Sequence, residues 1–285
     1  MKNLRMSSLD LEKTRCAAAA LSIPSRTAVR RSATISMLEA TITGAVRAIV
    51  EGVANTLFPW ACVGCGVRAD SPLCHECLSR VRWIAEPCCS SCGLPFATPP
   101  SRLCGRCLED PPPFRRLRAV ACYGASDEAR DPFGLALRGL KYAGRRALAR
   151  SLSALLADRY PYPGERFDVA APVPLHLERS RSRGFNQALL LAREPARRFG
   201  LPLDAGLLVR SRATPPQVGL SERARRGNVR SAFALRSGRS VNGKRVLLVD
   251  DVCTSTATVR ACAYLLRQRG AESVDVLVAS RALLH

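Results

Sequence analysis

The chain has 285 residues, a formal net charge of +21 and 47% hydrophobic residues. That length leaves room for two domains, and the composition rules out wholesale disorder. No apolar run reaches the ~18 uninterrupted residues of a membrane-spanning helix, because Arg, Glu or Pro interrupts each one, so no membrane insertion is expected. Only Lys2, Lys13, Lys141 and Lys244 are lysines, so the basicity is almost all Arg. The skew is either a background bias or the mark of a phosphate-bearing partner. Positions 171–240 carry 14 Arg against 4 acidic residues, and this local excess favours a polyanion or phosphate there.

In chain order, residues 1–36 hold seven basic and two acidic residues in a Ser/Thr/Ala-rich setting with little apolar periodicity, which predicts a disordered extension. The apolar stretch 16–23 is short, set back from the start and followed by Arg26, Arg30 and Arg31, a poor match to a signal peptide. A cytoplasmic, reducing setting is therefore expected, in which grouped cysteines bind metal more often than they form disulfides. Ile42, Val46, Ile49, Val53 and Leu57 recur at helical spacing and predict an amphipathic helix over 38–58.

Residues 60–110 are poor in aliphatics and hold nine of the thirteen cysteines. Four C-x-x-C pairs follow one another: Cys62/Cys65, Cys74/Cys77, Cys89/Cys92 and Cys104/Cys107. Each such turn aims two thiolates at one ion, and two turns complete the tetrahedral cage of structural zinc. So small a module with so few aliphatics needs the ~10 kcal/mol or more that a structural zinc contributes. Two ribbons in tandem is the simplest pairing, interleaved pairing also satisfies the spacing, and iron or disulfides are the other uses of such thiols. Four sulfurs leave no open coordination position, so the role is structural: holding a partner or docking on the next domain. Asp110-Pro111-Pro112-Pro113 then reads as a stiff spacer and a domain boundary.

From 114 to 285, strand-like runs at 117–123, 167–174, 207–210, 245–249 and 274–279 alternate with helical patterns at 131–141, 147–160, 185–199 and 256–269. Alternation of this kind predicts an α/β domain with a parallel sheet. The run 245–249 leads into Asp250 and Asp251, then Thr254, Ser255, Thr256, Ala257 and Thr258, then a helix. Ligands in open α/β sheets bind at the carboxyl ends of strands, and the first turn of the following helix offers unpaired N–H groups to a phosphate. The two acids suit ribose hydroxyls or a magnesium ion held through water, whereas helix capping alone accounts for only one acid or hydroxyl. The Walker-like spacing Gly238 to Lys244 fails as a P-loop, since Arg245 stands in the Ser/Thr place and the glycines precede a strand.

Further motifs are Leu140-Lys141-Tyr142 with Gly144, Pro172-Val-Pro-Leu-His176, Arg181-Ser-Arg-Gly-Phe-Asn-Gln187, Arg210 to Gln217 and Arg226-Gly-Asn-Val. With the cysteine module and the acid pair, this ordered set resembles the ComF family, a double zinc ribbon joined to a type I phosphoribosyltransferase domain, over about residues 57–281. The resemblance implies that Asp250 to Thr258 is the loop for phosphoribosyl pyrophosphate (PRPP) with magnesium, the 5-phosphate sitting at 254–258. It also implies that Arg181, Arg183, Asn186 and Gln187 clamp pyrophosphate, with help from Arg210, Arg212, Gln217, Arg226 and Asn228. The family usually has glycine where Thr256 stands, and a β-branched residue resists the positive φ and close phosphate approach that glycine allows.

Members of the family resemble DNA-uptake factors, so single-stranded DNA and uptake proteins are the other expected partners. Phe185, Phe199 and Phe233 are the only aromatics in the basic stretch, and all three are spaced like core residues rather than stacking platforms. Two readings follow: a magnesium-dependent phosphoribosyl transferase, or a non-catalytic binding module built on the same fold.

Overall fold

The computed structural model describes residues 60–96, 102–123, 131–175, 183–210 and 232–283. The expected extension over 1–36 and helix over 38–58 lie outside the described residues, as do His176, Arg181, Arg212, Gln217, Arg226 and Asn228. The described residues belong to one compact unit.

Its centre is a four-stranded parallel sheet of β3 (Arg116–Tyr123), β8 (Ser273–Ala282), β7 (Arg245–Cys253) and β4 (Val169–Pro172), in that spatial order. Their side chains divide by the two-residue period of a strand. Val246 and Leu248 of β7, with Val274, Val276 and Val278 of β8, enter the core under helix α6 (Ala257–Gln268). Leu247, Val249, Leu277 and Ala279 enter the core on the other face, under α3 (Pro132–Tyr142), α4 (Leu148–Asp158) and α5 (Gln187–Arg198). Both faces are covered, which explains why these strands are nearly continuous apolar runs.

The helices carry the signals that form and place them. Asp131 caps α3 by accepting the Phe133 N–H at 3.1 Å, with Pro132 in the first turn, where its missing N–H costs nothing. Phe133, Ala136, Leu137 and Leu140 form its buried face. Pro195 lies inside α5 and removes the N–H that would bond the Leu191 carbonyl. The buried Ser153 hydroxyl of α4 donates to that carbonyl at 2.9 Å and accepts the Glu194 N–H at 3.0 Å, so the defect is repaired by the neighbouring helix. At the start of β3, the fully buried Asp275 carboxylate accepts from Arg115 at 2.7 Å and Arg116 at 3.1 Å, an ion cluster that also includes Glu165.

A second small sheet pairs β5 (Leu208–Arg210) with β6 (Phe233–Leu235), antiparallel. The sequence pattern places β5 but passes over β6. The cysteine module contributes β1 (Trp60–Ala61), β2 (Arg68–Ala69) and two one-turn helices, α1 (His75–Ser79) and α2 (Gly105–Glu109).

The ribbons are docked on the sheet rather than spaced from it. The Ile84 N–H donates to the Val120 carbonyl at 3.0 Å, and the Cys122 N–H to the Arg82 carbonyl at 2.8 Å, so the segment 82–84 covers the open edge of β3. Cys62, Leu73, Cys77 and Val81 share a core with Phe133 and Leu137. The Asp110-Pro111 segment is held by the Arg260 guanidinium, 2.7 Å from the Asp110 carboxylate and 3.4 Å from the Pro111 carbonyl. The expected spacer is thus tethered to α6.

Candidate functional site

The structure gathers the eight paired cysteines in two groups, Cys62/Cys65/Cys74/Cys77 and Cys89/Cys92/Cys104/Cys107, with the sulfurs of each group within 4.8 Å of one another. The first C-x-x-C pair of each group meets the next pair in sequence, so the tandem arrangement is the one the backbone brings together. In both groups backbone amides converge on the first sulfur: the Cys74 N–H donates to Cys62 Sγ at 3.3 Å, and the Cys104 N–H to Cys89 Sγ at 3.4 Å. Burial raises the Cys62 and Cys89 thiols, but these amides outweigh it and bring them down to about 6 and about 7. Donor type, number and spacing fit structural zinc. Cys88 stands apart, its thiol donating to Glu86 at 3.3 Å.

Asp250 and Asp251 lie within β7, not beyond it. The sequence pattern ends the strand at 249, but residues up to Cys253 pair with β8, Val252 opposite Ser280 and Cys253 opposite Arg281. Both acids are half-buried. The Asp251 N–H donates to Asp250 Oδ1 at 2.8 Å, and Lys141 Nζ from the end of α3 lies 3.1 Å from Asp251 Oδ2. Burial raises the Asp250 carboxyl, the adjacent Asp251 charge raises it further, and Lys141 offsets part of this. β4 ends beside the pair, with the Val173 N–H donating to the Val249 carbonyl at 2.8 Å. The carboxyl ends of β4 and β7 thus lie side by side, at the edge of the sheet where ligands of open α/β folds bind.

Beyond Cys253 the chain turns into α6 through exposed Thr254 and Ser255 and half-buried Thr256, Ala257 and Thr258. Thr256 is the N-cap residue with φ −74°, and its side chain makes no cap hydrogen bond. The strain expected of a β-branched residue at this position is absent, because the backbone here does not enter the left-handed region.

The residues expected to clamp pyrophosphate divide. Arg183 is half-buried, its guanidinium 5.0 Å from the centre of the exposed Tyr142 ring. Asn186 instead caps α5, accepting the Ala188 N–H at 3.0 Å and donating to the Val173 carbonyl at 3.0 Å. Gln187 is wholly buried, its amide atoms without hydrogen-bond partners among the described residues. Both amides therefore belong to the start of α5 and face its packing. Arg210 lies over the Phe233 ring at 5.4 Å. Phe199 corrects the expectation of three core aromatics: it is 42% exposed at the end of α5, stacked on Tyr160 at 4.2 Å.

Two contributors were not singled out from the sequence. Lys141 sits in the Leu140-Lys141-Tyr142 motif, and only the fold shows that this motif ends opposite Asp251. Arg146 lies 4.8 Å over Phe185 and donates to the Gly184 carbonyl at 3.1 Å, joining the loop after α3 to the loop before α5. Gly184 has φ +69°, a conformation that favours glycine over residues with a Cβ.

A parallel sheet with an acid pair at its carboxyl edge, fronted by two ribbons of four cysteines each, defines a phosphoribosyltransferase-fold protein carrying a double zinc ribbon. A double zinc ribbon domain model matches residues 53–108, and a phosphoribosyl transferase domain model matches residues 186–282. The chain is 37% identical over 216 residues to DNA utilization protein YhgH of Escherichia coli O157:H7, covering 74% of this chain and 91% of that one. It is 30% identical over 234 residues to competence protein F of Haemophilus influenzae, covering 79% and 98%, and 26% identical over 212 residues to competence protein ComFC of Bacillus subtilis, covering 72% and 81%. It belongs to the ComF family. Among solved structures, adenine phosphoribosyltransferase from Thermoanaerobacter pseudethanolicus aligns with a TM-score of 0.31 at 18% identity, over 53% of this chain and 85% of that one.

Proposed function

We propose that the chain binds PRPP, as its magnesium complex, at the carboxyl edge of β7 and acts in DNA uptake or utilisation in the cytoplasm. One observation carries the reading: Asp250 and Asp251 stand at the end of β7, countered by Lys141, and the chain then turns through a hydroxyl-lined segment into the N-terminus of α6. The 5-phosphate is placed against the first-turn amides of α6 and the hydroxyls of Thr254, Ser255, Thr256 and Thr258, with Ala257 contributing backbone only. The two carboxylates hold the ribose hydroxyls. Magnesium, when bound, neutralises the pyrophosphate. Arg183, in the segment that leads into α5, faces the pyrophosphate, and Arg181, outside the described residues, is the second candidate for that role, while Asn186 caps α5 beside the buried Gln187. Structural zinc at Cys62, Cys65, Cys74 and Cys77 and at Cys89, Cys92, Cys104 and Cys107 keeps the ribbons folded against the sheet.

In phosphoribosyl transfer, the bond from the anomeric carbon to pyrophosphate breaks with both electrons leaving on the pyrophosphate, and the lone pair of an acceptor nucleophile forms the new bond to that carbon, any proton on the nucleophile passing to solvent or to the departing pyrophosphate. The acid pair then steadies the positive charge that develops on the ribose. Calorimetric titration with PRPP and magnesium tests the site. The unsubstituted chain binds, and an Asp250→Asn/Asp251→Asn variant loses at least ~10-fold in affinity, as expected when charge-assisted bonds are removed. Equal affinity in the two would place the ligand elsewhere. A second reading, single-stranded DNA as ligand, is favoured by the 14 Arg in 171–240 and by the names of the relatives.

A further inference from the structure

Arg281, on β8, is 6% exposed. Its guanidinium meets two sulfurs: Nη1 donates to Cys253 Sγ at 3.2 Å and Nη2 reaches Cys92 Sγ at 3.6 Å, while Nε has no partner among the described residues. Cys92 belongs to the second ribbon's cluster, and Cys253 lies two residues beyond Asp251, directly opposite Arg281 in the β7–β8 register. A guanidinium keeps its charge at any ordinary pH, and burying it without a counter-charge is costly. Neutral thiols do not supply that counter-charge. Four thiolates around one divalent zinc do, because the centre as a whole is negative. The first cluster has a different arrangement: its arginine, Arg80, is exposed, sits at the end of α1 and donates to Cys77 Sγ at 3.3 Å from only three residues away.

We propose that Arg281 is an outer donor to the zinc centre of the second ribbon and, through Cys253, makes the geometry of the 250–256 segment depend on that centre's occupancy. With zinc bound, the charge on the Cys92 sulfur holds one arm of the guanidinium and the other arm fixes Cys253. Without zinc, the buried cation loses its counter-charge, and the contact that steadies the end of β7 is released. That 250–256 is the ligand loop rests on the function proposed above; the link from zinc to Arg281 to Cys253 does not.

The test uses the full chain, two readouts that need no PRPP, and the variants Arg281→Met, Arg281→Lys and Cys253→Ala. Zinc release to a colorimetric chelator is expected to show one of the two zinc equivalents leaving roughly 10–100-fold faster in Arg281→Met, with Arg281→Lys intermediate. The other equivalent leaves at the unsubstituted rate and reports that the chain is folded. Amide hydrogen exchange is expected to accelerate over 89–107 and over 250–256 in Arg281→Met, and likewise in the unsubstituted chain after chelation. In Cys253→Ala, zinc is released at the unsubstituted rate, and chelation no longer changes exchange over 250–256. The proposal is overturned if Arg281→Met gives up both ions at the unsubstituted rate, or if chelation of the unsubstituted chain leaves exchange over 250–256 unchanged. The chelation arm decides the second point even if Arg281→Met does not fold. PRPP failing to bind would count against the proposed function alone.

Discussion

At the residue scale, the acid pair makes the stability of the fold depend on pH. The Asp250 carboxyl is pushed up to about 8, first by burial and then by Asp251. Between the ordinary carboxylate range and that value the native chain holds a proton that the unfolded chain has released. Stability contributed by this group is therefore greatest at low pH and declines as pH rises through the window. Asp250→Asn keeps the oxygen that accepts the Asp251 N–H and removes the charge. It is expected to raise unfolding free energy at pH 7 by roughly 1–2 kcal/mol, with the gain vanishing below about pH 4, while PRPP–magnesium binding is lost. Urea unfolding at several pH values checks the sign; a variant less stable at pH 7 than at pH 4, relative to the parent, would contradict it.

At the scale of elements, the ribbon-to-sheet contact hinges on a close approach at one glycine. Gly93 has φ +64°, and a Cβ there would lie 2.5 Å from the Leu117 carbonyl oxygen of β3. The same turn is tied down by the Leu117 N–H, which donates to the Ser91 carbonyl at 2.6 Å, and by Arg118, which reaches the Ser90 carbonyl at 3.0 Å. Gly93→Ala must strain the backbone and push the second ribbon off β3 together. A loss of about 2–4 kcal/mol is expected by denaturant unfolding, against less than ~1 kcal/mol for Gly66→Ala, where φ is +79° but nothing lies within 4 Å of the added atom.

At the scale of the molecule, charge and aromatic content bear on single-stranded DNA. Arginine in the 171–240 stretch supplies a backbone term that depends on salt. Exposed rings for stacking are few: among the described residues only Tyr142, at 75%, joins the half-exposed Phe199 as a large exposed aromatic. Binding of an oligothymidine is therefore expected to weaken steeply between about 50 and 200 mM salt, as roughly 0.7 of a counterion is released per phosphate contacted. Tyr142→Ala should cost no more than the ~1–3 kcal/mol of a single stacked base. Affinity that is indifferent to salt, measured by fluorescence anisotropy, would remove the electrostatic basis for this ligand.

Elements of the sheet and its helices follow from local pattern, because burial on both faces writes continuous apolar runs such as 246–249, and amphipathic helices write a stripe such as Phe133, Ala136, Leu137 and Leu140. The cysteine groups are legible for a similar reason, since C-x-x-C spacing is a local turn geometry. The acid pair and the hydroxyl segment are adjacent in the chain and could be read as one unit. Contacts between residues far apart leave no such trace. The docking of 82–84 on β3, Lys141 opposite Asp251, the inward turn of Gln187, and Arg281 between Cys92 and Cys253 join positions separated by tens to nearly two hundred residues. Spacing along the chain encodes which face of an element is apolar, but which elements meet, and which polar groups they enclose, depends on how the packed sheet closes in three dimensions.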